Sequence, residues 1–138
     1  MELKLALDLI AAVFAEARRR HAKPLSVIVL DTGGHQVAGA REDGAGFARL
    51  EMAKGKAWGS LGLGFGSRTL SERVGNAPEF FAAAASLLEG RLLPAPGGLL
   101  VLRGGETIGA LGVSGDTGDT DEACAVAAIT ACGLGYES

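Results

Sequence analysis

The chain has 138 residues, 48% hydrophobic and 21% charged, which excludes intrinsic disorder and points to one domain, residues 1–138. Its 13 basic and 16 acidic side chains leave a net charge of −3 with the cations scattered, which excludes the basic footprint of a nucleic-acid binder. The 22 glycines and a mean hydropathy of +0.27 are high for so small a chain, so some apolar surface is expected between subunits of a homo-oligomer.

Met1 to about His21 reads as an amphipathic helix, with Leu3, Leu7, Ile10, Phe14 and Ala17 at helical spacing and Pro24 beyond its end. Leu25–Leu30 is a β-branched, apolar strand expected to be covered on both faces. Gly33-Gly34 predicts a two-residue hairpin turn, and His35–Arg41 the returning strand. After the loop Glu42–Gly46, a second helix is expected from Phe47 to about Leu61, with Gly55 and Gly59 inside it as marks of close packing. Phe47 and Trp58 are expected in the core or at a subunit interface. A short helix to Val74 would be capped by Ser67 or Thr69, and another runs from Glu79 to Leu88.

The last third reads as a strand at Leu99–Leu102, a turn at Arg103–Glu106 and a returning strand at Thr107–Val113. Gly109 and Gly112 within that strand imply close approach of another backbone or a ligand. Asp119 to about Leu134 is the final helix, with Asp119 and Glu122 spaced as a capping box. Hairpins with separate helices make an α+β fold. The longest apolar runs are seven residues, against the ~20 of a membrane span. Glu2 and Asp8 interrupt the opening stretch in a way unlike a secretion signal, so a cytoplasmic protein is expected, with Cys124 and Cys132 as reduced thiols.

Among chemistry-bearing residues, Arg41, Asp43 and Lys56 are expected to converge, gripping the carboxylate of a small ligand. Asp121 and Glu122 open the last helix beside Ser114, where backbone N–H groups suit an anion. His35, beside a turn, is the first choice of axial ligand for a haem, with His21 the second. No zinc-ligand pair, nucleophile elbow or phosphate loop is present, and no metal site is expected.

Residues 26–46 (SVIVLDTGGHQVAGAREDGAG), Lys56-Ala57, residues 62–70 (GLGFGSRTL), Gly97-Gly98 and residues 105–128 (GETIGALGVSGDTGDTDEACAVAA) together resemble the GlcG/HbpS family, which includes the C-terminal domain of PduO-type proteins. The sequence departs from the family's pattern at Glu42 and over Asp116–Thr120. The resemblance implies a PAS/profilin-like three-layer fold with roughly five antiparallel strands flanked by helices. It also implies dimers up to octamers and, in some members, haem binding or degradation. Two functions are therefore expected. One is an oligomeric protein holding haem or another tetrapyrrole for sensing, storage or delivery. The alternative is a small catabolic enzyme or accessory protein for a hydroxy or aromatic acid, with Asp43 or Glu122 as base and Arg41 or Lys56 holding substrate.

Overall fold

The structure, a computed structural model, describes residues 1–138. Its elements run α1 (Leu3–Arg19), β1 (Ser26–Leu30), β2 (Gln36–Arg41), α2 (Arg49–Leu63), α3 (Ser67–Asn76), α4 (Pro78–Leu87), β3 (Gly98–Arg103), β4 (Glu106–Ser114), α5 (Gly118–Ala131) and β5 (Gly135–Glu137). The strands form one antiparallel sheet in the order β2-β1-β4-β3-β5. No helix is long and apolar enough to cross a membrane.

Alternation along the strands divides the core between two faces. Val27, Val29, Leu99, Val101, Leu111 and Val113 point to one face, beneath α1 and α5. Ile28, Leu30 and Ala110 point to the other, where they meet Ala53 and Ala57 of α2. The fold is thus the three-layer α+β arrangement, helix, sheet, helix. The three inner strands β1, β4 and β3 are buried over most of their lengths, as their apolar runs require.

Two glycines bring α2 unusually close to the sheet. Gly98 and Gly112 are direct cross-strand partners. A Cβ on Gly112 would collide with the Ala53 carbonyl, and one on Gly98 with the Lys56 carbonyl. The helix backbone therefore rests on the sheet backbone. Gly109 meets a strand instead: a Cβ there would collide with the Leu30 carbonyl of the neighbouring β1. Gly55 and Gly59, in turn, leave room for Leu93 and Leu92 of the segment before β3.

Several local expectations are corrected. The buried stripe of α1 is Ala6, Leu9, Ile10, Val13 and Ala17, while Leu3 and Leu7 stay exposed. The helix is apolar over a wide arc, and small Ala6 and Ala17 let it press against α5. The cap of α5 is Thr117, whose hydroxyl accepts from the Thr120 N–H at 3.2 Å, so Asp119 lies inside the helix. The cap position of α3 is Gly66, and Ser67 instead bonds the backbone of Gly98 in both directions. Phe47 is 85% exposed, which excludes the core and leaves the interface alternative.

Candidate functional site

The outward face of α2 carries Glu51, Lys54, Gly55 and Trp58, spaced i, i+3, i+4, i+7, so all four share one stripe. Opposite them stands the turn between β1 and β2, with Gly33, Gly34 and His35, and one end is closed by Gly90 and Arg91. Together they line an open cleft of about 530 Å³, within the usual range for small-molecule sites. A smaller recess of about 110 Å³ adjoins it, sharing Gly33, Gly34 and Trp58.

The β1–β2 turn is longer than two glycines. The Asp31 N–H donates to the His35 carbonyl at 2.9 Å, and the Gly34 N–H to the Asp31 carbonyl at 3.0 Å. Gly34 is left-handed at φ 80°, the mark of a three-residue loop closing on a bulge. The Asp31 carboxylate organises this loop by accepting from the N–H groups of His35 (3.0 Å) and Gly33 (2.9 Å). Those bonds hold its carboxyl below the ordinary value. The same Oδ1 lies 3.4 Å from His35 Nδ1. The imidazole is 83% exposed, with its Nδ1 towards Asp31.

Trp58 supplies the cleft's one large apolar surface. The Arg91 guanidinium lies over it, 4.4 Å from the ring centroid. With Lys54 and Arg91 against Glu51, the lining carries two full cations to one carboxylate. Sequence reasoning misses Lys54 and Arg91 altogether. The heptad-like spacing of residues 51–58 is available as a signal, but nothing local ties the loop residue Arg91 to that helix.

The expected convergence of Arg41, Asp43 and Lys56 does not occur. Lys56 points into the protein, where its ammonium donates to the Val113 carbonyl at 2.8 Å and to Asp121 at 2.9 Å. Burial pushes the Asp121 carboxyl up and the Lys56 ammonium down, each opposed by the other's charge. Arg41 and Asp43 instead flank a separate groove of about 490 Å³ with Phe14, Arg18, Pro24 and Glu42. There Arg18 and Glu42 satisfy each other, while Arg41 and Asp43 make no ion pair.

The carboxylates at the start of α5 are engaged from within the protein. The second oxygen of Asp121 accepts from the Asp116 N–H at 2.9 Å. Glu122 accepts from Arg68 at 2.8 Å, which ties α5 to α3. Ser114 is buried and faces Arg49, with Nη1 at 3.5 Å from its hydroxyl. Of the seven residues singled out, only His35 lines the cleft. His21 sits left-handed at the end of α1, φ 54°.

No curated protein matches the chain. Solved structures do. A PduOC:haem complex is 27% identical with a TM-score of 0.88, covering 100% of this chain and 99% of that one. The Klebsiella pneumoniae protein ORFY is 26% identical with a TM-score of 0.88, covering 96% and 90%. HbpS is 27% identical with a TM-score of 0.82, covering 95% and 89%. The family model of the HbpS-like haem-degrading proteins matches residues 1–130. With the three-layer fold and five-stranded sheet on the same footing, the chain belongs to the HbpS-like family.

Proposed function

We propose that this chain binds haem, or a closely related tetrapyrrole, in the cleft between the β1–β2 turn and α2. One observation carries the reading: an exposed imidazole, with a carboxylate near Nδ1, shares a cleft with a tryptophan ring flanked by cations. A carboxylate on the far nitrogen is the usual support of a metal-bound histidine, since it orients the ring and raises its basicity.

The residues fit the group's chemistry. His35 Nε2 suits the iron, Trp58 a porphyrin face, and Lys54 and Arg91 the propionates. Bound haem would supply an iron centre for ligand binding or electron transfer. The protein's part is to orient His35, offer Trp58 and neutralise the acid groups. The haem complex of the related PduOC and the family's description support the reading.

Exposed Phe80 and Leu87 on α4, with Leu3 and Leu7 on α1, support self-association as well. Two unpaired thiols support a reducing, cytoplasmic setting. The alternative, action on a carboxylated small molecule, is favoured by a single feature, the unpaired Arg41 and Asp43 at the second groove.

A haemin titration followed by absorbance tests the proposal. A Soret band saturating at fixed stoichiometry, and lost or strongly shifted in His35→Ala, is expected. An unsaturable, featureless rise would sink it and turn attention to small acids at Arg41. A band unchanged in His35→Ala would remove His35 as the ligand.

A further inference from the structure

Arg91 occupies the aromatic surface that a flat ligand in the cleft would need. Its guanidinium lies 4.4 Å from the centre of the Trp58 ring, and its Nε donates to the Leu88 carbonyl at 3.0 Å. The backbone before it is constrained. Glu89 and Gly90 are both left-handed, at φ 58° and 68°. For Glu89 that conformation is costly, because its Cβ crowds the carbonyl that follows. Gly55 gives the loop its place on α2: a Cβ there would lie 3.2 Å from Leu93 Cβ and 3.7 Å from the Arg91 carbonyl oxygen. Arg91 makes no ion pair, although Glu51 lines the same cleft. The loop thus holds a guanidinium whose charge is unmatched and whose only partner within the cleft is a ring face.

We infer that Arg91 determines the cleft's specificity: a planar ligand replaces it on Trp58, and the displaced guanidinium binds that ligand's carboxylate. This rests on the proposal that the cleft holds a flat ligand. An exposed cation–π stack shifts an equilibrium by only about 2–5-fold, so the exchange is easy. An Arg–carboxylate contact made through two parallel N–H groups is roughly twice as strong as a neutral hydrogen bond. A flat ligand with an acid group therefore recovers what it displaces. One without an acid group loses the stack and gains nothing from Arg91. The class selected is the planar aromatic carboxylate, which includes porphyrin diacids.

Trp58 is the chain's one tryptophan, so its fluorescence reports binding, and comparison with Arg91 and His35 variants localises that binding to the cleft. Metal-free protoporphyrin and its dimethyl ester would be titrated, from dimethyl sulfoxide, into wild type, Arg91→Gln and Arg91→Lys, with haemin as the reference ligand. Wild type is expected to prefer the diacid about tenfold. In Arg91→Gln the diacid weakens and the ester holds, or tightens by up to about fivefold, so the preference shrinks to what Lys54 alone supplies. Arg91→Lys keeps the charge without the planar fork and should fall between. If haemin quenches Trp58 but the diacid preference is the same in wild type and Arg91→Gln, the inference is overturned; the cleft reading then stands if His35→Ala weakens haemin binding and falls if it does not. If neither haemin nor either porphyrin quenches Trp58, the cleft reading itself is overturned.

Discussion

Lys56 and Asp121, 65 residues apart in sequence, meet at 2.9 Å with side chains 5% and 1% exposed. The pair joins α2 to α5 around the end of the sheet, and the Val113 carbonyl and Asp116 N–H complete its hydrogen bonding. Removing one partner strands the other charge in the interior. Lys56→Met should therefore lower stability by about 3–5 kcal/mol, read as a fall in the urea midpoint. The double change Lys56→Met with Asp121→Leu should recover much of that loss.

The same variant predicts a pH dependence. Burial already raises the Asp121 carboxyl in the folded state, and without Lys56 nothing charged opposes that rise. A carboxyl whose folded value is raised binds its proton more readily folded than unfolded, so stability falls as pH rises through that value. The deficit of Lys56→Met should accordingly shrink on acidification. A deficit constant between neutral pH and about pH 5 would refute this account of Asp121.

Glu16 behaves in the opposite sense. Arg19 and Arg20 hold its carboxyl at about 2, from an ordinary 4.5. A depressed folded value gives stability that is present above pH 4.5 and is lost as pH falls towards 2. Thermal midpoints of wild type and Glu16→Gln should differ near neutrality and converge in strong acid. Both arginines reach solvent, so the difference should fade in about 1 M salt, where the screening length is ~3 Å.

Glycine positions of two kinds should respond with opposite signs. Gly112→Ala drives a methyl into the Ala53 carbonyl and should cost about 1–3 kcal/mol or more. Gly75, inside α3, has open space for 4 Å around the place a Cβ would take, and its backbone is not left-handed. Gly75→Ala should stabilise the protein by roughly 0.5–1 kcal/mol. Denaturant midpoints of the two variants decide the matter.

Thr117→Ala removes the side-chain cap of α5 and should cost about 1 kcal/mol, while Thr117→Asp should retain most of it. If Asp119→Ala proves the more damaging of the two, the cap has been assigned to the wrong residue.

The strands at 26–30, 98–103 and 106–114 are legible in the sequence because β-branched, apolar runs bounded by Gly-Gly turns leave few other solutions. Gly109 and Gly112 are legible too, as places of close approach, and the approaching groups are the Leu30 and Ala53 carbonyls. β5 is not. It has three exposed residues, too few for any periodicity, and exists only because β3 offers an edge. The partner of Lys56 is equally hidden, because nothing near Lys56 in sequence announces Asp121. At the cleft, His35 is visible through its turn, while Trp58 reads only as core or interface and Arg91 carries no local signal. Both gain meaning only from each other's position.

The backbone-on-backbone seating of α2 has a consequence for how this cleft can vary. Ordinary helices ride on side chains, so each core substitution can tilt them a little. Here carbonyls of Ala53 and Lys56 rest on glycines, and no side chain intervenes to act as a shim. Repacking of the valines and leucines beneath α1 and α5 would leave the stripe from Glu51 to Trp58 where it is. Changes in the backbone shape of the cleft are then confined to the opposing walls, the turn at Asp31–His35 and the loop at Glu89–Arg91, while the stripe varies only through its own side chains. One jaw is fixed by the main chain, and the other is open to substitution.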